Sequence, residues 1–242
     1  MIKTVSIIGF NFVNSTMKEL LQLLDDRIST NTKTFIVTAN PEIVTYANSN
    51  KEYKSLINDA HFIIPDGVGI IWAAKILGNP LVQRLPGFEL MEELLKLSND
   101  RKYSIYFLGT KPNLIDKAVE NINTKYPKIK IVGFHHGYFD SKNSNIADDI
   151  ARLEPDIVFV GTGFPKQEKW IAQNIHKFNK GIFIGVGGCF NVWAGYTKRA
   201  PKPWRDLNLE WAYRIINEPT RLKRAIAIPK FMINIITEKY RS

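Results

Sequence analysis

The chain carries a single cysteine, Cys189, in 242 residues. No intrachain disulfide can form, and a reducing compartment fits. Nowhere does an apolar stretch reach the ~20 residues that span a bilayer. The N-terminal apolar run is short and gives way to Gly9-Phe10-Asn11, so no signal peptide is expected. These absences predict a soluble or membrane-peripheral cytosolic protein. Internal repeats and low-complexity segments are also missing. Neither G-x-G-x-x-G nor a Walker P-loop occurs, which removes support for dinucleotide binding and for NTP hydrolysis. There is no D-x-D, and His135-His136 lack the spacing of a metal set, so no metal is expected and the pair reads as structural. No Ser–His or Cys–His arrangement stands at nucleophile spacing, and Cys189 reads as a small core residue.

What is present bounds the answer further. At 45% hydrophobic, the chain can bury a full core as one domain, or as one domain with an appendage. Its net charge of +10 is unevenly placed. From Gly195 to Ser242 eleven Lys/Arg face four Asp/Glu, a surplus of seven, which leaves +3 on the first 194 residues. The main body is therefore nearly balanced. Strand and helix patterns alternate along that body. Strands are expected at Ile2–Ile8, Thr34–Val37, near Ile63, Ser104–Leu108, Lys130–Gly133, near Ile157 and Ile182–Val186. Helices are expected from the capping box Thr16-x-x-Glu19 to about Ile28, from Pro41, and over Val68–Leu77, Gly87–Leu97, Asn113–Tyr126, Asn143–Leu153 and Gln167–Phe178. Such alternation predicts an α/β, Rossmann-like, largely parallel sheet with helices on both faces.

The tail reads differently. Residues 204–216 give a helix with a broad apolar face and basic flanks, Pro219 interrupts it, and residues 221–240 continue with Ile226, Ile228, Phe231, Met232, Ile233, Ile235 and Ile236. Basic residues beside Trp, Phe and Ile on helices too short to span describe a segment that lies on a membrane surface. The alternative is packing on the body or on another subunit. The run 226–236 is too apolar for a single-strand nucleic-acid groove, so no nucleic acid is expected. The expected division is a catalytic α/β domain over 1–194 and a basic helical appendage over 195–242.

Two loops carry the chemistry. One is Pro65-Asp66-Gly67-Val68-Gly69; the other runs from Gly161 through Pro165-Lys166-Gln167-Glu168. Each follows a short apolar run of the kind that forms a buried parallel strand. In an open α/β sheet, ligands bind beyond the carboxyl ends of such strands. Thr38, Asn40, Asp66, Gln167, Gly187 and Gly188 should therefore share one rim. Paired glycines there suit a pyrophosphate, and Arg84 and Lys166 supply cations. The reading is an acid–base site with one held carboxylate, although Pro-Asp-Gly by itself also suits an ordinary turn.

Taken together and in order, Thr38-Ala39-Asn40-Pro41-Glu42, Pro65-Asp66-Gly67-Val68-Gly69, Arg84-Leu85-Pro86-Gly87, His136-Gly137-Tyr138-Phe139, Gly163-Phe164-Pro165-Lys166-Gln167-Glu168 and Gly187-Gly188 resemble the WecG/TagA/CpsF family of bacterial glycosyltransferases. The likeness covers nearly the whole chain, including Glu210-Trp211, Arg214, Glu218-Pro219 and Arg221, and is strongest to members that carry N-acetylmannosamine. It implies transfer from UDP-ManNAc to the 4-hydroxyl of a GlcNAc on undecaprenyl diphosphate, with inversion, on the inner face of the cell membrane, in wall teichoic acid synthesis. Asp66 then matches the general base. Thr38, Asn40, Arg84 and Gln167 match the donor pocket. Arg214, Arg221 and Arg224 match arginines that close over the site and neutralise diphosphate, with no cofactor. Another donor (UDP-ManNAcA or UDP-glucose), a homo-oligomer, and a non-catalytic basic adaptor on membranes stay open at this stage.

Overall fold

The computed structural model describes residues 2–140, 145–217 and 227–241. Eight strands form one sheet: β1 (Thr4–Ile7), β2 (Phe10–Val13), β3 (Thr34–Ala39), β4 (Phe62–Pro65), β5 (Ser104–Gly109), β6 (Lys130–His135), β7 (Ile157–Gly161) and β8 (Ile182–Gly185). Their spatial order is β1-β2-β4-β3-β8-β7-β5-β6, and every pairing except β1 with β2 is parallel. The α/β expectation holds.

The β1–β2 hairpin is an addition. Ile8 and Gly9 both take positive φ, 40° and 85°, which turns the chain back within two residues. Phe10 and Phe12 then point into the core from a strand too short to announce itself in the sequence.

Helices cover both faces. On one lie α1 (Met17–Ser29), α5 (Gly87–Arg101), α6 (Pro112–Lys125) and α9 (Cys189–Trp193); their Leu24, Leu94, Ile122 and Phe190 pack with Ile36, Phe107, Phe159 and Ile184 of the sheet. On the other lie α2 (Pro41–Ser49), α3 (Lys51–Asn58), α4 (Val68–Ile76), α7 (Ile146–Leu153) and α8 (Lys166–Asn174), against Val37, Ile63, Val158 and Phe183. The capping box opens α1 as the sequence requires: Glu19 N–H donates to Thr16 Oγ1 and Thr16 N–H donates to Glu19 Oε2 at 2.8 Å. Asn40 caps α2 by accepting Ile43 N–H at 3.0 Å.

Beyond the sheet the expected long helix is two short ones, α10 (Lys202–Asp206) and α11 (Glu210–Asn217), divided where Asn208 takes φ 59°. The C-terminal helix, Ala227–Arg241, then returns to pack on α2 and α4. Phe231 and Ile235 on it are fully buried, so that face belongs to the core, which is the packing alternative for this stretch. Ile233 and Ile236 on the same helix stay exposed.

Gly67 and Gly69 owe their lack of a side chain to Pro41. A Cβ on either would sit 2.8 or 2.6 Å from the Pro41 ring, so these glycines let the start of α4 press against the start of α2. Gly69→Ala is expected to cost about 1–3 kcal/mol, because proline cannot swing away as a flexible chain could. A melting temperature equal to wild type would show that the contact can relax.

Candidate active site

At the carboxyl rim of β3, β4 and β8 lies a cleft of about 350 Å³. Thr38, Asn40, Asp66, Arg84, Gln167, Gly187 and Gly188 all line it, so the rim expected from strand ends is one continuous site. Lys166 does not: it opens α8 with its side chain exposed, while the next residue, Gln167, turns inward. Arg221 and Arg224 lie outside the described residues, as does the side chain of Arg214, whose helix α11 borders the cleft through Glu210, Trp211 and Ile215.

Asp66 follows β4 directly. Its backbone N–H donates to Ala39 O at 3.0 Å, tying it to the end of β3. Its Oδ1 accepts the N–H of Gly87, the first residue of α5, at 3.0 Å. A carboxylate at a helix N-terminus meets the positive end of the helix dipole. The carboxylate is therefore fixed in direction while still half-open to the cleft.

Thr38 and Gln167 do different work. Thr38 Oγ1 donates to Gly185 O at 2.9 Å, binding β3 to β8. Gln167 is 3% exposed, and its Oε1 accepts Gly187 N–H at 2.9 Å. Both hold the β8 end and its glycine turn in place. At that turn Gly187 has φ +53°, and neither Gly187 nor Gly188 would bring a Cβ within 4 Å of another group. A ligand can reach the backbone there.

The starts of α2, α4 and α5 all border the cleft, and α4 begins with a glycine N-cap and no side-chain cap. Three helix N-termini, with Arg84 and Lys198 on the wall, make the cleft suited to an anion. Among the described residues Arg84 enters no ion pair. Arg199 is committed elsewhere: it pairs with Glu89 and, at 3.2 Å, with Glu92, and its guanidinium lies 4.1 Å from the Phe88 ring centroid. It straps the loop after α9 to α5. Trp72, Trp211, Ile215 and Ile228 add apolar lining to the cleft.

Comparison with known proteins gives the family. Residues 5–242 match the glycosyl transferase WecG/TagA/CpsF family. The chain belongs to it. Among curated relatives, the N-acetylglucosaminyldiphosphoundecaprenol N-acetyl-beta-D-mannosaminyltransferase of Staphylococcus aureus strain MW2 is 40% identical over 238 residues, 97% of this chain and 93% of the relative. The proteins of the same name in strains NCTC 8325 and MRSA252 are equally similar over the same span. This WecG/TagA/CpsF glycosyltransferase has no described helix long and apolar enough to cross a membrane. His135 closes β6 and His136 follows it, with Nδ1 of His135 2.7 Å from His136 O and the two rings tilted at 47°, outside the cleft lining.

Sequence reasoning missed several cleft residues of this glycosyltransferase. Glu89 and Asn191 sit within helices, Lys198 reads in the sequence only as tail charge, and Trp72 falls mid-helix in an apolar run. No local signal separates them from ordinary helix and loop residues.

Proposed function

We propose that the chain transfers N-acetylmannosamine from UDP-ManNAc to the 4-hydroxyl of GlcNAc on undecaprenyl diphosphate, inverting the anomeric carbon, in wall teichoic acid synthesis at the cytoplasmic membrane surface. The observation that carries the reading is Asp66, held by Gly87 N–H on the floor of an anion-suited cleft, in a chain 40% identical to transferases of that name. Asp66 takes the proton of the acceptor hydroxyl as its oxygen bonds to the anomeric carbon. The bond from that carbon to the diphosphate breaks, and UDP leaves with the electron pair. A single displacement needs one base and no enzyme nucleophile. Charge that develops on the leaving diphosphate meets Arg84, the Gly187-Gly188 backbone and the helix N-termini, with Arg214, Arg221 and Arg224 assigned to the same task from the tail. Thr38 and Gln167 serve by holding the turn, and Asn40 by capping α2 beside the pocket. The apolar lining at Trp72, Trp211, Ile215 and Ile228 suits the lipid end of the acceptor.

The test is an isotope-transfer assay with a short-chain prenyl-diphosphate-GlcNAc acceptor and UDP-ManNAc, UDP-ManNAcA and UDP-glucose in turn. Turnover with UDP-ManNAc alone is the expected result; turnover only with another donor would reassign the sugar, and none with any donor would leave the adaptor. Transfer is also expected to persist in EDTA, since side-chain cations take the phosphate charge. Loss in chelator that returns with Mg²⁺ or Mn²⁺ would refute that part.

A further inference from the structure

Glu168 is the buried acid that the chemistry above leaves unused. It has no accessible surface and lies in the first turn of α8, next to Gln167. Burial pushes its carboxyl above the usual carboxylate range, and Tyr53, fully buried as well, is its electrostatic neighbour. Carboxyl groups are rarely sealed in this way without a duty.

That duty can be read from the bonds. Gln167 Nε2 donates to Glu168 Oε1 at 2.7 Å, and Gln167 Oε1 accepts Gly187 N–H at 2.9 Å. The two ends of a side-chain amide have nearly the same shape, so packing alone does not decide which end faces Gly187. Gly187 N–H requires the oxygen end, and Glu168 Oε1, accepting from the NH₂ end, holds the amide the same way round. A reversed amide would set N–H against N–H at Gly187 and leave buried donors unpaired, which is costly. The amide is also pressed close to the strand end: a Cβ on Gly185 would lie 2.5 Å from Gln167 Nε2. One carboxyl oxygen accepts whether or not the acid holds a proton.

We propose that Glu168 is the positioning residue of the glycine turn: it orients the Gln167 amide, which fixes Gly187 and the backbone that meets the donor's diphosphate. The identity of the ligand rests on the function proposed above; the orientation of the turn does not.

The experiment reads amide hydrogen exchange at Gly187 by NMR on the ligand-free full chain, and UDP affinity by calorimetry on the same samples. Glu168→Gln keeps an oxygen acceptor and the side-chain volume, and both readings should stay close to wild type. Glu168→Leu removes the acceptor. Exchange at Gly187 should then quicken, and UDP binding weaken, each by about tenfold or more, as expected for an unpaired buried donor. The double change Gln167→Leu with Glu168→Leu removes both polar partners, so it stays informative even where the single change fails to fold, and should show the same losses. Wild-type protection of Gly187 in the double variant would overturn the proposal. So would damage from Glu168→Gln equal to that from leucine, or a quickened Gly187 with UDP affinity untouched. A wild-type chain with a protected Gly187 that binds no UDP would instead count against the nucleotide reading.

Discussion

Asp66→Asn is expected to lower sugar transfer by roughly 10²–10⁴, the usual worth of a positioned general base, with UDP binding and melting temperature near wild type. The substitution isolates chemistry from structure. Asparagine keeps the shape and an oxygen for Gly87 N–H, which Asp66 Oδ1 accepts at 3.0 Å, so the joint between β4 and α5 survives. What disappears is the basic lone pair. The loss should lie in kcat, because the acceptor hydroxyl still binds but its proton has no destination. Turnover close to wild type in a folded Asp66→Asn chain would remove Asp66 from the mechanism and return Pro65-Asp66-Gly67 to the role of a turn.

Removal of residues 195–242 should have a comparably large effect by another route. All eight strands end by Gly185, so the sheet should persist, with circular dichroism reporting a folded body. The deletion also strips the C-terminal helix from α2 and α4. Fully burying Phe231 and Ile235 contributes about 1.5–3 kcal/mol for each side chain, and the apolar surface left behind should make the truncated chain self-associate on gel filtration. Transfer should fall by roughly 10² or more, because Glu210, Trp211, Ile215 and Ile228 leave the cleft wall together with Arg214, Arg221 and Arg224. Liposome flotation should be lost as well, since seven of the ten net positive charges go with the tail. In the full chain that flotation should weaken with added salt. A monomeric truncation that transfers sugar at the full rate, or still floats, would reduce the tail to packing.

The fold was legible because its signals are local. Thr16 and Glu19 announce a helix start, Asn40-Pro41 another, and apolar runs closed by glycine mark the buried strands. The short strand Phe10–Val13 was not, since four residues after a two-residue turn carry too little pattern. The break at Asn208 was hidden for a similar reason: apolar spacing continues across it while the backbone does not.

Within the site, the sequence by itself determined which groups stand at the strand ends, because an α/β alternation delivers Thr38, Asp66, Gln167 and Gly187 to one rim whatever the details of packing. It did not determine what each group does there. Lys166 and Gln167 are adjacent, yet a helix turns consecutive side chains about 100° apart, so one faces water and the other the cleft. Thr38 and Gln167 look like reactive polar groups in a sequence, and only the bonds to Gly185 O and Gly187 N show them as fasteners. Phe231 looks like one residue of an apolar stripe until α2 and α4 are seen to bury it. Strand and helix periodicity are short-range properties that the chain carries in its pattern. Bond partners and burial depend on contacts between residues far apart in sequence, as with Thr38 and Gly185, separated by 147 in sequence, and exist only once the chain has folded.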